Sequence, residues 1–265
     1  MATLVCGHPR SGTTLLAVLL DSHPEISLTF ELGTFQYIGL RPDEYLEKLQ
    51  VHIRQKSRRT FVRFSDSAVT RRNRTLNRLA NRFFLFRFFR GIRRLGVGSV
   101  RAADVERVLG KLFPRARMVG DKYPGYVFEL DKLAEDPAVR CAAIYRDCRD
   151  VAASVLKKVD TQWKGKAWTV KYDTAAKIAA LWVNAVEIME RNAEKVLAVR
   201  YERLVREPGA AARDLGEWLG VDPAGFKLDR VHTESVGKHR SSLPEADVQA
   251  ILDVAGPTMR RLGYL

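Results

Sequence analysis

At 265 residues the chain is long enough for one large α/β domain with an insertion, and no low-complexity linker divides it. Its formal net charge of +14 sits in one stretch, Val51 to Arg101, where fourteen arginines and one lysine face a single acid, Asp66, and the remainder is nearly neutral. Three cysteines, Cys6, Cys141 and Cys148, are an odd number without paired metal spacing, so a disulfide scaffold is excluded and reduced structural thiols are expected.

In chain order, TLVC (Thr3 to Cys6) is a short apolar run ending at a glycine, and TTLLAVLLDS (Thr13 to Ser22) follows as a helix closed by His23-Pro24. ISLT, ending at Thr29, is a second strand-like run. RMVGDK (Arg117 to Lys122) precedes a helix from about Gly125, VRCAAIYR (Val139 to Arg146) precedes DVAASVLKK, and VLAVRY (Val196 to Tyr201) precedes PGAAARDLGEWLG. Repeated apolar strand then helix implies an α/β fold, a P-loop-like doubly wound parallel sheet flanked by helices, with a basic helical insertion over about 41–102. Ligands of such sheets sit at the carboxyl ends of the strands. No run approaches the roughly 18 apolar residues of a membrane span. With no secretory signal before Thr3, a cytoplasmic protein is expected.

The insertion has its own period. Leu76, Leu79, Phe83, Phe84, Phe88, Ile92 and Leu95 recur at helical spacing while Arg74, Arg78 and Arg82 line another face, which predicts one amphipathic helix or two. Two readings stay open: a cap packing its Phe/Leu stripe on the sheet, and an anion-binding element in peripheral contact with a membrane. No recognised DNA- or RNA-reading motif is present, so nucleic acid is not the expected partner.

GHPRSGTT (Gly7 to Thr14) has the frame of a phosphate loop, but Thr13 stands where a nucleoside-triphosphate site carries lysine. Arg10 supplies the cation instead, and the N–H groups of Ser11 to Thr14 open a helix whose N-terminus attracts an anion. The missing lysine argues against a P-loop kinase. In YRDCRDVAAS, Arg146 ends a strand and Ser154 follows eight residues later inside the next helix, so both can reach one anion. Two phosphate sites at two strand ends imply a nucleotide phosphorylated at two positions. The competing reading of Arg146 and Arg149 is salt bridges to Asp147 and Asp150, which for Arg149 explains its presence fully.

These residues resemble the sulfotransferases that use 3′-phosphoadenosine 5′-phosphosulfate. RSGTT is similar to that family's 5′-phosphosulfate loop and the Arg-plus-Ser spacing to its 3′-phosphate site. HPEI, GDKYP, VRYERLVREPGAAARDLGEWLGV and SVGKHRSSLP extend the likeness over both flanks of the insertion, and the layout from Arg10 to Glu31 resembles the tyrosylprotein branch, shared by bacterial and glycan-modifying branches.

The resemblance implies in-line transfer of a sulfuryl group to an acceptor hydroxyl, with the bisphosphate as product and no metal. Glu31 falls at the family's general base, and Arg10 and Lys122 at the cations that stabilise charge on the donor oxygens. Ser11, Gly12, Thr13 and Thr14 would cradle the 5′ phosphate, and Arg146 and Ser154 the 3′ phosphate. Gly237-Lys238 resembles the late loop over the nucleotide, which adds Ser235 and Lys238, although His239 stands where many relatives carry Trp. The expected acceptor is a carbohydrate or glycolipid, anionic or lipid-linked, with tyrosyl peptides and small alcohols as alternatives. His8 and His23 are not expected to be the base, and no His/Cys/Asp/Glu cluster has metal-ligand spacing. The four tryptophans, Trp163, Trp168, Trp182 and Trp218, are expected in the core or in acceptor-pocket walls.

Overall fold

Five short strands form one parallel sheet: β1 (Ala2–Cys6), β2 (Ile26–Phe30), β3 (Met118–Lys122), β4 (Val139–Tyr145) and β5 (Val196–Arg200), ordered β2-β3-β1-β4-β5. The computed structural model describes residues 1–55, 61–62, 74–231 and 235–265. The strands are short and largely apolar, and β1 and β3 are buried along their whole length. In β1, Leu4 and Cys6 join one core and Val5 the other, all fully buried. The three cysteines are free and buried, and burial pushes their thiols up, that of Cys141 to about 12.

The helices are α1 (Thr13–Leu20), α2 (Pro42–Gln55), α3 (Arg74–Arg93), α4 (Ala102–Leu112), α5 (Leu130–Leu133) and α6 (Cys148–Asp160). They continue as α7 (Ala175–Arg191), α8 (Tyr201–Arg206), α9 (Pro208–Leu219) and α10 (Glu245–Arg261). One face of the sheet packs against α1, α8 and α9 through Leu16, Leu204 and Leu215, and the other against α4 and α5 through Val105 and Leu130. A third cluster binds α6, α7 and α10 around the fully buried Trp182. Because β1 is central, the loop after it lies where connections part to the two sides of the sheet, the usual ligand position of such folds. Among the described residues no helix is long and apolar enough to cross a membrane.

The insertion contributes α2 and α3. Arg58, Arg59, Arg63, Arg71 and Arg72, and the side chain of Arg74, lie outside the described residues. Phe61 and Val62 are stitched to the sheet edge: the Phe30 N–H donates to the Phe61 carbonyl at 2.7 Å, and Thr29 bridges Val62 antiparallel. Asn81 of α3 accepts from both of their N–H groups, at 2.7 and 2.9 Å. The single Phe/Leu stripe expected for this segment is divided here. Phe84, Phe88 and Ile92 enter the core while Leu76, Leu79 and Phe83 stay exposed, because their positions on the helix point to opposite sides.

Candidate active site

The phosphate-loop frame is built on two glycines that no other residue can replace without movement. Gly7 has φ +147°, and a Cβ there would fall 2.2 Å from the Ile144 carbonyl oxygen. Gly12 has φ +105°, and its Cβ would meet the Tyr201 ring at 2.5 Å. Gly12 caps α1 without any side-chain hydrogen bond, which leaves the helix N-terminus open to an anion. Thr13 is buried and Thr14 exposed, and the buried Ser11 hydroxyl has no hydrogen-bond partner.

Strands β2 and β3 bring Glu31 and Lys122 beside this loop. The Lys122 Nζ lies 2.6 Å from Glu31 Oε1 and donates to the Thr14 hydroxyl at 3.3 Å. Lys122 is 3 % exposed and Glu31 41 %, so the carboxylate is the accessible half of the pair. The turn that carries Glu31 is fixed from below by Asp121. This fully buried carboxylate accepts from the Thr29 hydroxyl (2.7 Å), the Tyr126 hydroxyl (2.7 Å), the Gly33 N–H (2.8 Å) and the Leu32 N–H (3.3 Å). From α2, the His52 Nε2 lies 3.2 Å from the Glu31 carbonyl, the contact of a donating tautomer.

On the other side of β1, strand β4 ends in Arg146, buried with its guanidinium 4.7 Å from the Tyr201 ring centroid. Its Nη2 donates to Asp150 Oδ2 at 2.8 Å and to the Ser235 carbonyl, while Nε is buried without a partner. Ser154 faces Arg10, whose Nε donates to its hydroxyl at 2.9 Å. The two expected anion sites are thus joined: Ser154 reaches into the 5′ loop, and Arg146 is tied to the late loop. Asp150 makes that tie, accepting from the N–H groups of Gly237 (2.8 Å) and His239 (2.9 Å) and lying 2.9 Å from His239 Nδ1. Burial alone would raise the Asp150 carboxyl, but the donors from His239 and Arg146 outweigh it and hold it below its ordinary value. Lys238 is exposed on the turn Lys238–Ser241, and Arg149 is taken up by Asp147 at 2.7 Å.

A sequence profile of the sulfotransferase family matches residues 3–224. The chain belongs to the sulfotransferase family. It is 25 % identical over 289 residues to protein-tyrosine sulfotransferase A of Caenorhabditis elegans, an alignment covering 97 % of this chain and 66 % of that relative's length. The sulfotransferase domain of the Synechococcus PCC 7002 olefin synthase superposes with TM-score 0.59 at 18 % identity, covering 97 % of this chain and 94 % of that one. A sulfotransferase from Mycobacterium avium gives 0.51 at 18 % identity, covering 98 % and 76 %. These two likenesses are of fold.

Within this sulfotransferase scaffold, several residues near the strand ends carried no signal of their own. Asp121 stood one place before Lys122 in GDKYP, whereas Asp150, read only as a salt-bridge partner, does pair with Arg146 and also holds the late loop. Tyr201 is legible only through its closeness to Gly12. The ring of Tyr172 lies 6.0 Å from His8 in the phosphate loop, and Trp163 and Trp168 pack around it with centroids 6.4 and 6.3 Å away. His23 Nε2 instead lies 2.9 Å from the Asp222 carbonyl. Along α2 a groove of about 570 Å³ runs between Tyr37, Glu44, Glu47, Lys48 and His52. Among the described residues no group of three His, Cys, Asp or Glu is placed to hold a metal ion.

Proposed function

We propose that this chain moves a sulfuryl group from 3′-phosphoadenosine 5′-phosphosulfate to an acceptor hydroxyl, leaving 3′-phosphoadenosine 5′-phosphate. The observation that carries the reading is the pairing of Lys122 with Glu31 at the ends of β3 and β2, held by Thr14 to the phosphate-loop frame that also carries Arg10. Among the described residues, the two non-glycine residues with left-handed φ are Arg10 (75°) and Glu31 (60°). Backbone strain of that kind persists where the surroundings over-determine it, and it concentrates at functional sites.

A bisphosphorylated nucleotide fits what the protein offers. The open N-terminus of α1, the partnerless Ser11 hydroxyl and the hydroxyls of Thr13 and Thr14 suit a phosphate at one strand end. The partnerless Arg146 Nε and the Ser154 hydroxyl suit a second phosphate, with Ser235 and Lys238 on the loop that closes over it. The bound donor supplies an activated sulfuryl group. Glu31 takes the acceptor's proton as the acceptor oxygen bonds to sulfur and the bond from sulfur to the phosphate oxygen breaks. Lys122 and Arg10 hold the charge that returns to the departing phosphate.

Carbohydrate or glycolipid is the acceptor we favour, because the exposed Trp168 and the half-buried Trp163, packed on the buried Tyr172 beside the loop, offer indole faces on which a sugar can stack. Tyrosyl peptide is the second reading, supported by the likeness to the C. elegans protein. A cytoplasmic placement belongs to the same proposal.

Calorimetric titration tests the donor. The bisphosphate should bind without metal and more tightly than ADP or ATP with magnesium, and Arg146→Ala should weaken it by about tenfold or more. Tighter binding of ATP with magnesium would replace this reading with a kinase. With the donor established, labelled sulfuryl transfer to sugar, glycolipid and tyrosyl-peptide acceptors separates the two acceptor readings.

A further inference from the structure

Helix α3 carries two apolar stripes, and the fold uses one. Phe84, Phe88 and Ile92 pack into the core, with Asn81 hydrogen-bonded beside them. On the opposite side Leu76, Leu79, Phe83 and Phe86 recur at spacings of three, four and three residues, and they are 39, 53, 61 and 58 % exposed. No other helix of the described residues presents such a row of exposed large apolar side chains. Folding leaves this row in water, where it has no stabilising role.

Every charged residue of the helix is a cation. Arg78, Arg82, Arg87, Arg90, Arg93 and Arg94 are all exposed, and α3 contains no acid. The Arg87 guanidinium lies 5.8 Å from the Phe83 ring centroid, so cation and apolar groups form one surface.

We propose that this face of α3 seats in the surface of an anionic lipid bilayer, with the helix lying in the membrane plane. Leu76, Leu79, Phe83 and Phe86 enter the boundary of the acyl region, and the arginines spread their stems and meet the acidic headgroups. A second copy of the chain is disfavoured as the occupant because self-pairing would oppose arginine to arginine. Nucleic acid would satisfy the arginines and leave the apolar row pressed on phosphates. Helix α3 packs against α2, which carries His52 to the Glu31 backbone, so docking turns the insertion side of the molecule toward the lipid.

The test is co-sedimentation of the full chain with phosphatidylcholine vesicles, with and without phosphatidylserine as a quarter of the lipid. The serine-containing vesicles should be preferred by about tenfold or more, and raised salt should reduce that preference. Phe83→Ser with Phe86→Ser, and separately Arg82→Glu with Arg87→Glu, should each cost about tenfold in vesicle affinity with melting temperatures unchanged. If the serine pair lowers the melting temperature, Leu79→Gln replaces it. Absence of serine-dependent binding would overturn the proposal. So would wild-type affinity in the Phe-pair variant alongside RNA binding lost in the Arg-pair variant, which would assign the face to nucleic acid. A dimer in analytical ultracentrifugation that the Phe-pair variant dissociates would assign it to a second copy.

Discussion

Arg10 and Ser154 follow different strands, yet the Arg10 Nε donates to the Ser154 hydroxyl at 2.9 Å and closes the gap between the two proposed anion sites. One contact therefore couples the cation of the first site to the hydroxyl of the second. Ser154→Ala should weaken bisphosphate binding by about tenfold, the scale of one charge-assisted hydrogen bond. It should also lower kcat, because Arg10 loses the group that aims it. Arg10→Ala combined with Ser154→Ala should cost less than the sum of the two single changes, and strict additivity in that cycle would deny the coupling.

The backbone of Arg10 makes a second expectation separable from the first. At φ 75° an arginine is strained where glycine is not. Arg10→Gly should therefore raise stability by about 0.5–1 kcal/mol, a rise of a few degrees in Tm, while cutting kcat by about a hundredfold or more. Arg10→Ala should lose the same activity with no gain in Tm. Equal melting of the two variants would mean that the loop relaxes without cost.

Lys122 is almost fully buried and Glu31 is its accessible partner, so removing the carboxylate acts on chemistry and stability together. Glu31→Gln should lower kcat by about 10²–10⁴, the range for loss of a general base. It should also destabilise by about 1–2 kcal/mol, less than for a fully buried pair because Glu31 is partly solvated. Adding Lys122→Met should restore the stability without the activity. A double variant as unstable as Glu31→Gln alone would show that the buried cation is not the cause.

Local runs sufficed for the sheet because most strand positions are buried and each strand opens on an apolar residue, even in β5, where Ala198 is exposed. Arg10 and Arg146 were legible as cations at strand ends, which a parallel sheet gathers on one side, whereas Glu31 and Lys122 were marked by the family resemblance alone. Asp121 did not announce itself, because its work is to accept hydrogen bonds from backbone distant in sequence, such as Gly33; the pairing of Asp150 with Arg146 was legible, but its hold on the Gly237 and His239 N–H groups was not. His52 was hidden for the same reason, lying in an insertion read by its charge and touching the Glu31 carbonyl. Period alone merged the two stripes of α3, because residues one apart, such as Phe83 and Phe84, both fit a loose helical repeat yet face apart.

His8 contributes one pH-dependent part of the stability. It is buried in the phosphate loop, with Nδ1 2.9 Å from the Pro9 carbonyl and Nε2 without a partner. Burial pushes its imidazole down from 6.5 to about 4, with Lys171 adding to the effect and the Pro9 carbonyl opposing it. The unfolded chain thus takes up this proton before the folded one. The contribution of neutral His8 is fully present above the unfolded value near 6.5 and is lost as pH falls toward the folded value near 4. The loss approaches about 3 kcal/mol across that window and levels off below it. In urea melts the stability of wild type relative to His8→Gln should fall as the pH is lowered through this window, since the variant has no imidazole to protonate. A stability difference that stays constant from neutral pH to the acid end of the window would mean that His8 is protonated in the folded loop, with its charge held by groups other than those around it here.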